Sequence, residues 1–234
     1  MRPSIDRRPS RRSVVLSFAV AIAAAVALIA VSTLVRSGDD APEPITTPVV
    51  DLSGVPQSGS VLGEPSAKVM LIEYADVQCP ACRYYAVTIF PTLVSEYIRP
   101  GKVKTEFRGF PFIGSDSVKA HRFLLAAALQ DHLWDLEEAL YRYQGGENAG
   151  WVTDDLIREL AGKIAGLDVE KLFADAASTP ITEKADAASG EAQDAGIGGT
   201  PTFFIRIGDD DPYLARLSLD TGDFRAALDD ALAD

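Results

Sequence analysis

The order of patterns along the chain predicts an α/β domain carrying a helical insertion, preceded by one apolar amino-terminal helix. Three observations support this. A short β-branched run at 68–74 leads into Cys79-Pro80-Ala81-Cys82 and a helical periodicity, and a second strand pattern follows at 103–107. A helical block then occupies about 116–189, after which strand, strand and helix return. Ahead of all this, residues 14–35 form a run of 22 residues without a charge.

That run is the first element. At about 1.5 Å per residue a helix of this length spans roughly 33 Å, enough for the hydrocarbon core of a bilayer. The polar stripe of a soluble helix is missing. Five arginines and one acid lie in the first twelve residues, and Asp39, Asp40 and Glu43 follow the run. Basic flanks stay in the cytoplasm, so the reading is a cytoplasmic segment 1–13, a single-pass anchor 14–35 and an extracytoplasmic body. A cleaved signal peptide is the competitor, although its apolar region is usually shorter and ends in a small-residue site. Arg11-Arg12 before Ser13-Val14-Val15-Leu16 also resembles, loosely, a twin-arginine signal. Residues 36–65, with five prolines among Gly, Ser and Asp, predict a flexible tether.

The body, 66–234, follows. Its first strand leads to a helix with Tyr85, Ile89, Leu93 and Tyr97 at helical spacing, and Pro91 is expected to kink it. Pro100-Gly101 ends that helix. From Val118 one helical pattern runs through Leu140 until Gly145-Gly146 breaks it. Thr153 caps a helix to Ile164, Leu167-Asp168 starts another, and a last insertion helix spans about 181–195. Strands at 202–207 and 213–217 and a helix at 224–232 close the chain.

Hydrophobic residues make up 47% of the 234 and charged residues 24%, so the body can bury a core. From Ser37 onward there are 16 basic and 33 acidic residues, a net charge of −17. So acidic a body excludes phosphate-backbone binding, which needs a basic face. Two cysteines cannot build a disulfide scaffold or a four-thiolate zinc site. The two histidines, His121 and His132, would lie roughly 16 Å apart on one helix, too far to share an ion. Each reads as a packing or helix-surface residue, and no metal is expected.

Cys-x-x-Cys at a helix start has a direct chemical consequence. Cys79 would lie beside unpaired N–H groups and the positive end of the helix dipole, which favour thiolate over thiol. The thiolate is the species that attacks and leaves in disulfide exchange. Cys82, nearly one turn on, reaches back to Cys79 and should be the more buried sulfur. Pro80 suits the first helical position.

Glu73-Tyr74-Ala75-Asp76-Val77-Gln78-Cys79-Pro80-Ala81-Cys82, together with Gly196-Ile197-Gly198-Gly199-Thr200-Pro201-Thr202-Phe203-Phe204-Ile205, resembles the DsbA-like branch of the thioredoxin superfamily. It is most similar to the membrane-anchored BdbD type of Gram-positive thiol-disulfide oxidoreductases, from about Val61 to the end. The resemblance implies a thioredoxin fold with a helical insertion. It makes Cys79 the attacking cysteine, Cys82 the resolving one, Pro201 a cis-proline beside the disulfide, and Thr200 the residue whose backbone pairs with substrate. Glu73 matches the buried acid of these folds, a proton acceptor when Cys82 reacts. Asp76 reads as a loop cap. One departure stands at Ala81, where strongly oxidising periplasmic members carry a histidine.

The resulting expectation is an extracytoplasmic oxidase that needs no cofactor and donates its Cys79–Cys82 disulfide to exported proteins with cysteine pairs. A quinone-coupled membrane oxidase would reset it. A membrane-fed reductase or isomerase stays open because of Ala81. A redox-inert binding module of the same fold is the reading from another class.

Overall fold

The computed structural model describes residues 50–234. The expected basic segment, the anchor and the first part of the tether (36–49) lie outside the described residues. Among the described residues, no helix is long and apolar enough to cross a membrane.

The tether ends earlier than its composition suggests. Gln57–Ser58 (β1) and Val61–Leu62 (β2) pair as a tight antiparallel hairpin, and β2 continues the main sheet. Leu52, Val55 and Leu62 are buried, so residues 50–65 belong to the folded body rather than to a flexible linker. Pro and Gly here shape turns, and three apolar side chains hold the segment down.

Val69–Ala75 (β3) is the central strand, parallel to Val103–Gly109 (β4) on one side and antiparallel to a later strand on the other. Six of its seven residues are buried, as expected of a strand covered on both faces. Helix α1 follows as one helical run over 80–98, with wide π-type turns at Tyr85–Ile89 and Val94–Ile98. Pro91 lacks an N–H and crowds the carbonyl one turn back. The wide turn just before it takes up that misfit, so the helix continues through the proline.

The insertion comprises Ser115–Ala128 (α2), Leu133–Arg142 (α3), Asp154–Ala161 (α4), Val169–Ala176 (α5) and Thr179–Asp194 (α6). The single pattern expected from Val118 to Leu140 is two helices. Asp131 takes a left-handed φ of 58° at the break, where its carboxylate accepts a bond from the Gly59 N–H at 2.9 Å. His121 and His132 therefore sit on different elements. His121 is buried against Phe107 and Gly109, and His132 pairs with Asp135 at 2.9 Å. Thr153 and Asp168 cap α4 and α5 through bonds of 3.1 and 3.0 Å.

Thr202–Ile207 (β5), Tyr213–Ala215 (β6) and Thr221–Ala233 (α7) complete the body. The sheet order is β1-β2-β4-β3-β5-β6. Helix α1 is clamped by aromatic rings. Tyr85 meets Phe203 at 4.7 Å and Phe224 at 5.2 Å, while Phe90 stacks on Trp134 of the insertion at 5.2 Å. The result is a mixed α/β thioredoxin-like fold with a helical insertion.

Candidate active site

Strand β3 ends at Ala75, and the chain crosses a short loop before Pro80 opens α1. Cys79 occupies the capping position in extended conformation, with φ −71° and ψ 120°. Its N–H donates to the Asp76 carbonyl at 3.0 Å, and its carbonyl accepts from Arg83 at 3.1 Å. Its Sγ accepts from the Cys82 N–H at 3.4 Å. The reduced thiol lies 3.3 Å from the Thr200 carbonyl, to which it can donate. The Thr200–Pro201 peptide is cis. Thus the loop before β5, more than a hundred residues away, lies against the first cysteine.

The two thiols have opposite proton affinities. The Cys79 thiol is lowered to about 6, first by a bond from the Cys82 side chain and then, against the cost of burial, by Thr200 and the backbone N–H groups of Cys82 and Ala81. The Thr200 hydroxyl has no hydrogen-bond partner of its own and lies close enough to act on that sulfur. Cys82 is fully buried, and burial followed by the Cys79 bond drives its thiol well above the usual value. Cys79 retains 7% exposure against none for Cys82, so only Cys79 offers its sulfur to a partner. Pro80, at the helix start, is exposed, and half-buried Ala81 contributes its N–H.

Glu73 lies in the sheet beneath this loop, opposite Phe107 on one side and Phe203 on the other. It is completely buried, and neither carboxyl oxygen has a hydrogen-bond partner. Burial, and then the nearby Cys79 sulfur, push its carboxyl up to about 8, so it carries a proton at neutral pH.

The sequence reading missed a polar network that fixes the loop. Asp76 is buried, and its carboxylate accepts from the Gln78 N–H at 2.9 Å, the Ser117 hydroxyl at 2.6 Å and the Ile113 N–H at 3.0 Å. Gln78 donates to Ser117 at 2.8 Å and accepts from the Asn148 N–H at 2.7 Å. Gln144 donates to the carbonyls of Val77 and Cys79 at 2.6 and 3.1 Å, and Tyr141 to that of Asp76 at 3.3 Å. Ser117, Tyr141, Gln144 and Asn148 all come from the insertion. Asp76 caps the loop as its sequence position suggests, while the insertion residues that complete the network carried no local signal.

A family model described as Thioredoxin matches residues 57–229. Probable disulfide bond formation protein D of Bacillus cereus is 36% identical over 147 residues, covering 62% of this chain and 68% of that protein. Disulfide bond formation protein D of Bacillus subtilis is 28% identical over 151 residues, covering 62% and 66%. The crystal structure of oxidised BdbD from Bacillus subtilis shares the fold with a TM-score of 0.66 at 23% identity, over 82% of this chain and 100% of that one. The chain belongs to the thioredoxin family, and its likeness to the disulfide bond formation D proteins makes it a protein thiol-disulfide oxidoreductase.

Proposed function

We propose that the protein is an extracytoplasmic oxidase, anchored by residues 14–35, that passes its Cys79–Cys82 disulfide to exported proteins bearing cysteine pairs. The opposed proton affinities of the two sulfurs carry this reading. A substrate thiolate attacks Sγ of Cys79, the Cys79–Cys82 bond breaks, and the electron pair leaves on Cys82, which takes up a proton. The second substrate thiolate then attacks the substrate sulfur of the mixed disulfide, and Cys79 departs as a thiolate. The substrate loses two electrons and the enzyme gains them. Of the two substrate protons, one ends on Cys82 and the other in solvent.

A thiolate held at about 6 stabilises the reduced enzyme and so favours giving the disulfide away. The five amino-terminal arginines and the uncharged run behind them support the orientation. A quinone-coupled membrane oxidase would reoxidise the dithiol. Thiol alkylation of intact cells tests the direction. A mostly oxidised pair supports the oxidase, and a mostly reduced pair assigns the chain to the reductases. Protease added to spheroplasts should degrade the body, and a protected body would reverse the orientation.

A further inference from the structure

Cys82 is fully buried, and the buried acid that acts on it is Glu73, which makes Glu73 the natural source of the proton that Cys82 takes up when it leaves the disulfide. That transfer leaves a carboxylate fully buried where Glu73 has no hydrogen-bond partner, a costly product unless something accommodates it. Helix α3 carries a second buried carboxyl, Glu137, on which Glu73 acts. Glu137 is 2% exposed, and Tyr141, four residues on and so on the same helix face, bonds the Asp76 carbonyl directly behind the active-site loop. Tyr85 shares a face of α1 with Cys82, and α3 packs on the turn that holds it. Three elements therefore converge: β3 with Glu73, α1 with Cys82 and Tyr85, and α3 with Glu137 and Tyr141.

We propose that Glu137 is a positioning residue for disulfide exchange: it acts through Glu73, accommodating as a neutral acid the carboxylate that Glu73 becomes on protonating Cys82. The inference rests on the dithiol chemistry above but not on its direction. In the step, the Glu73 proton moves to the Cys82 sulfur, one negative charge passes from sulfur to carboxylate, and Glu137 keeps its proton.

The surroundings suit a single charge shared over two acids. Cys79 acts on Glu73, while Glu73 and Glu138 act on Glu137. Both tyrosines feel the charge of both carboxyls, and Cys82 feels Glu73. Among the described residues no cation acts on either acid, and Glu138 is itself held by Arg142. Burial and the neighbouring Glu73 keep Glu137 protonated far above its usual range. Two acids so placed cannot both ionise, so the one facing Cys82 gives up its proton while the other stays neutral.

The test follows reduction of the disulfide form of the purified full-length chain by dithiothreitol, with acid quench and alkylation, on both sides of the Glu73 value of about 8. Rates are normalised to the reductant thiolate. Glu137→Leu should slow the step about tenfold below that value and move the alkaline fall in rate to higher pH. The double variant with Glu73→Gln should be no slower than Glu73→Gln alone, because Glu137 works only through Glu73. A Glu137→Leu variant with wild-type rates, or losses that multiply in the double variant as a structural defect would make them, overturns the proposal. Should Glu137→Leu fail to fold, infrared spectra decide. At neutral pH Glu137→Gln should lose one of two protonated-carboxyl bands, and retention of both overturns the assignment. Because the readout is a rate with a small thiol, it can fail while the oxidase reading stands, and the reverse.

Discussion

The Cys79 thiolate draws its largest support from the Cys82 thiol, so Cys82→Ala is the sharpest perturbation of the site. Cys79 lies at about 6 against an ordinary 9.0, a difference worth about 4 kcal/mol in favour of the thiolate. Removing the Cys82 sulfur deletes a hydrogen bond to a charged group, worth about 1.5–3 kcal/mol, while the N–H groups of Cys82 and Ala81 remain. Cys79 should then titrate at about 7 to 8. Cys82→Ser keeps a donor and should fall between that and wild type. Thiolate absorbance against pH measures all three proteins, with Cys79→Ala as the blank. If Cys82→Ala still titrates at about 6, the buried thiol is not the source, and the helix amides alone set the thiolate.

Further outcomes follow from the same geometry. Cys82→Ser should trap substrates as high-mass adducts on non-reducing gels and Cys79→Ser should not, because only Cys79 offers its sulfur; equal trapping would erase the assigned roles. Ala81→His places a donor beside Sγ and should lower the Cys79 pKa further, raising the reduction potential by roughly 30 mV per pKa unit in glutathione equilibration. Glu73→Gln should stabilise the reduced protein in a pH-dependent way. The folded carboxyl holds its proton to about 8 while the unfolded one loses it near 4.5, so wild-type stability falls as pH rises through that window. Denaturant melts should show no gain for the variant below the unfolded value and roughly 3 kcal/mol at pH 7. Cys79 works in the opposite sense, because its folded pKa is depressed. Its contribution is absent below about 6 and grows up to 9.0, so the two groups oppose each other between about 6 and 8.

Much of this was legible where the signal is local. The Cys-Pro-Ala-Cys run at a strand-to-helix junction names the reacting sulfurs, and Thr200-Pro201 is a short motif that can be recognised at a distance. The strand at 202–207 and the caps Thr153 and Asp168 were readable because turn chemistry and periodicity agree there. The β1–β2 hairpin was not. Two-residue strands have no period, and a Pro- and Gly-rich composition describes a packed turn as well as a tether. The break at 129–132 was hidden because Asp131 in a left-handed conformation leaves the apolar spacing on either side unchanged. Glu137 was invisible for a deeper reason: on a helix, a buried polar residue looks like a surface one until the opposing element is known, and Gln144, in the loop after α3, has no periodicity to mark it.

The insertion is part of the active site rather than an appendage to it. A loop that bears a reactive cysteine must keep its backbone groups satisfied while standing between a sheet end and a helix start, and here local bonds meet only part of that need. Ser117, Tyr141, Gln144 and Asn148 supply the remainder across sequence separations of roughly forty to seventy residues. Burial strips water from Cys82 and Glu73, and that dryness holds a proton on each at neutral pH. Cys79, at the helix start, keeps a sulfur that is ionised and reachable. Burial thus separates two sulfurs three residues apart into a stable thiolate and a proton acceptor. Cavities cut in α3 should therefore disturb Cys82 chemistry before they disturb the Cys79 thiolate, whose supports lie in its own helix and at Thr200.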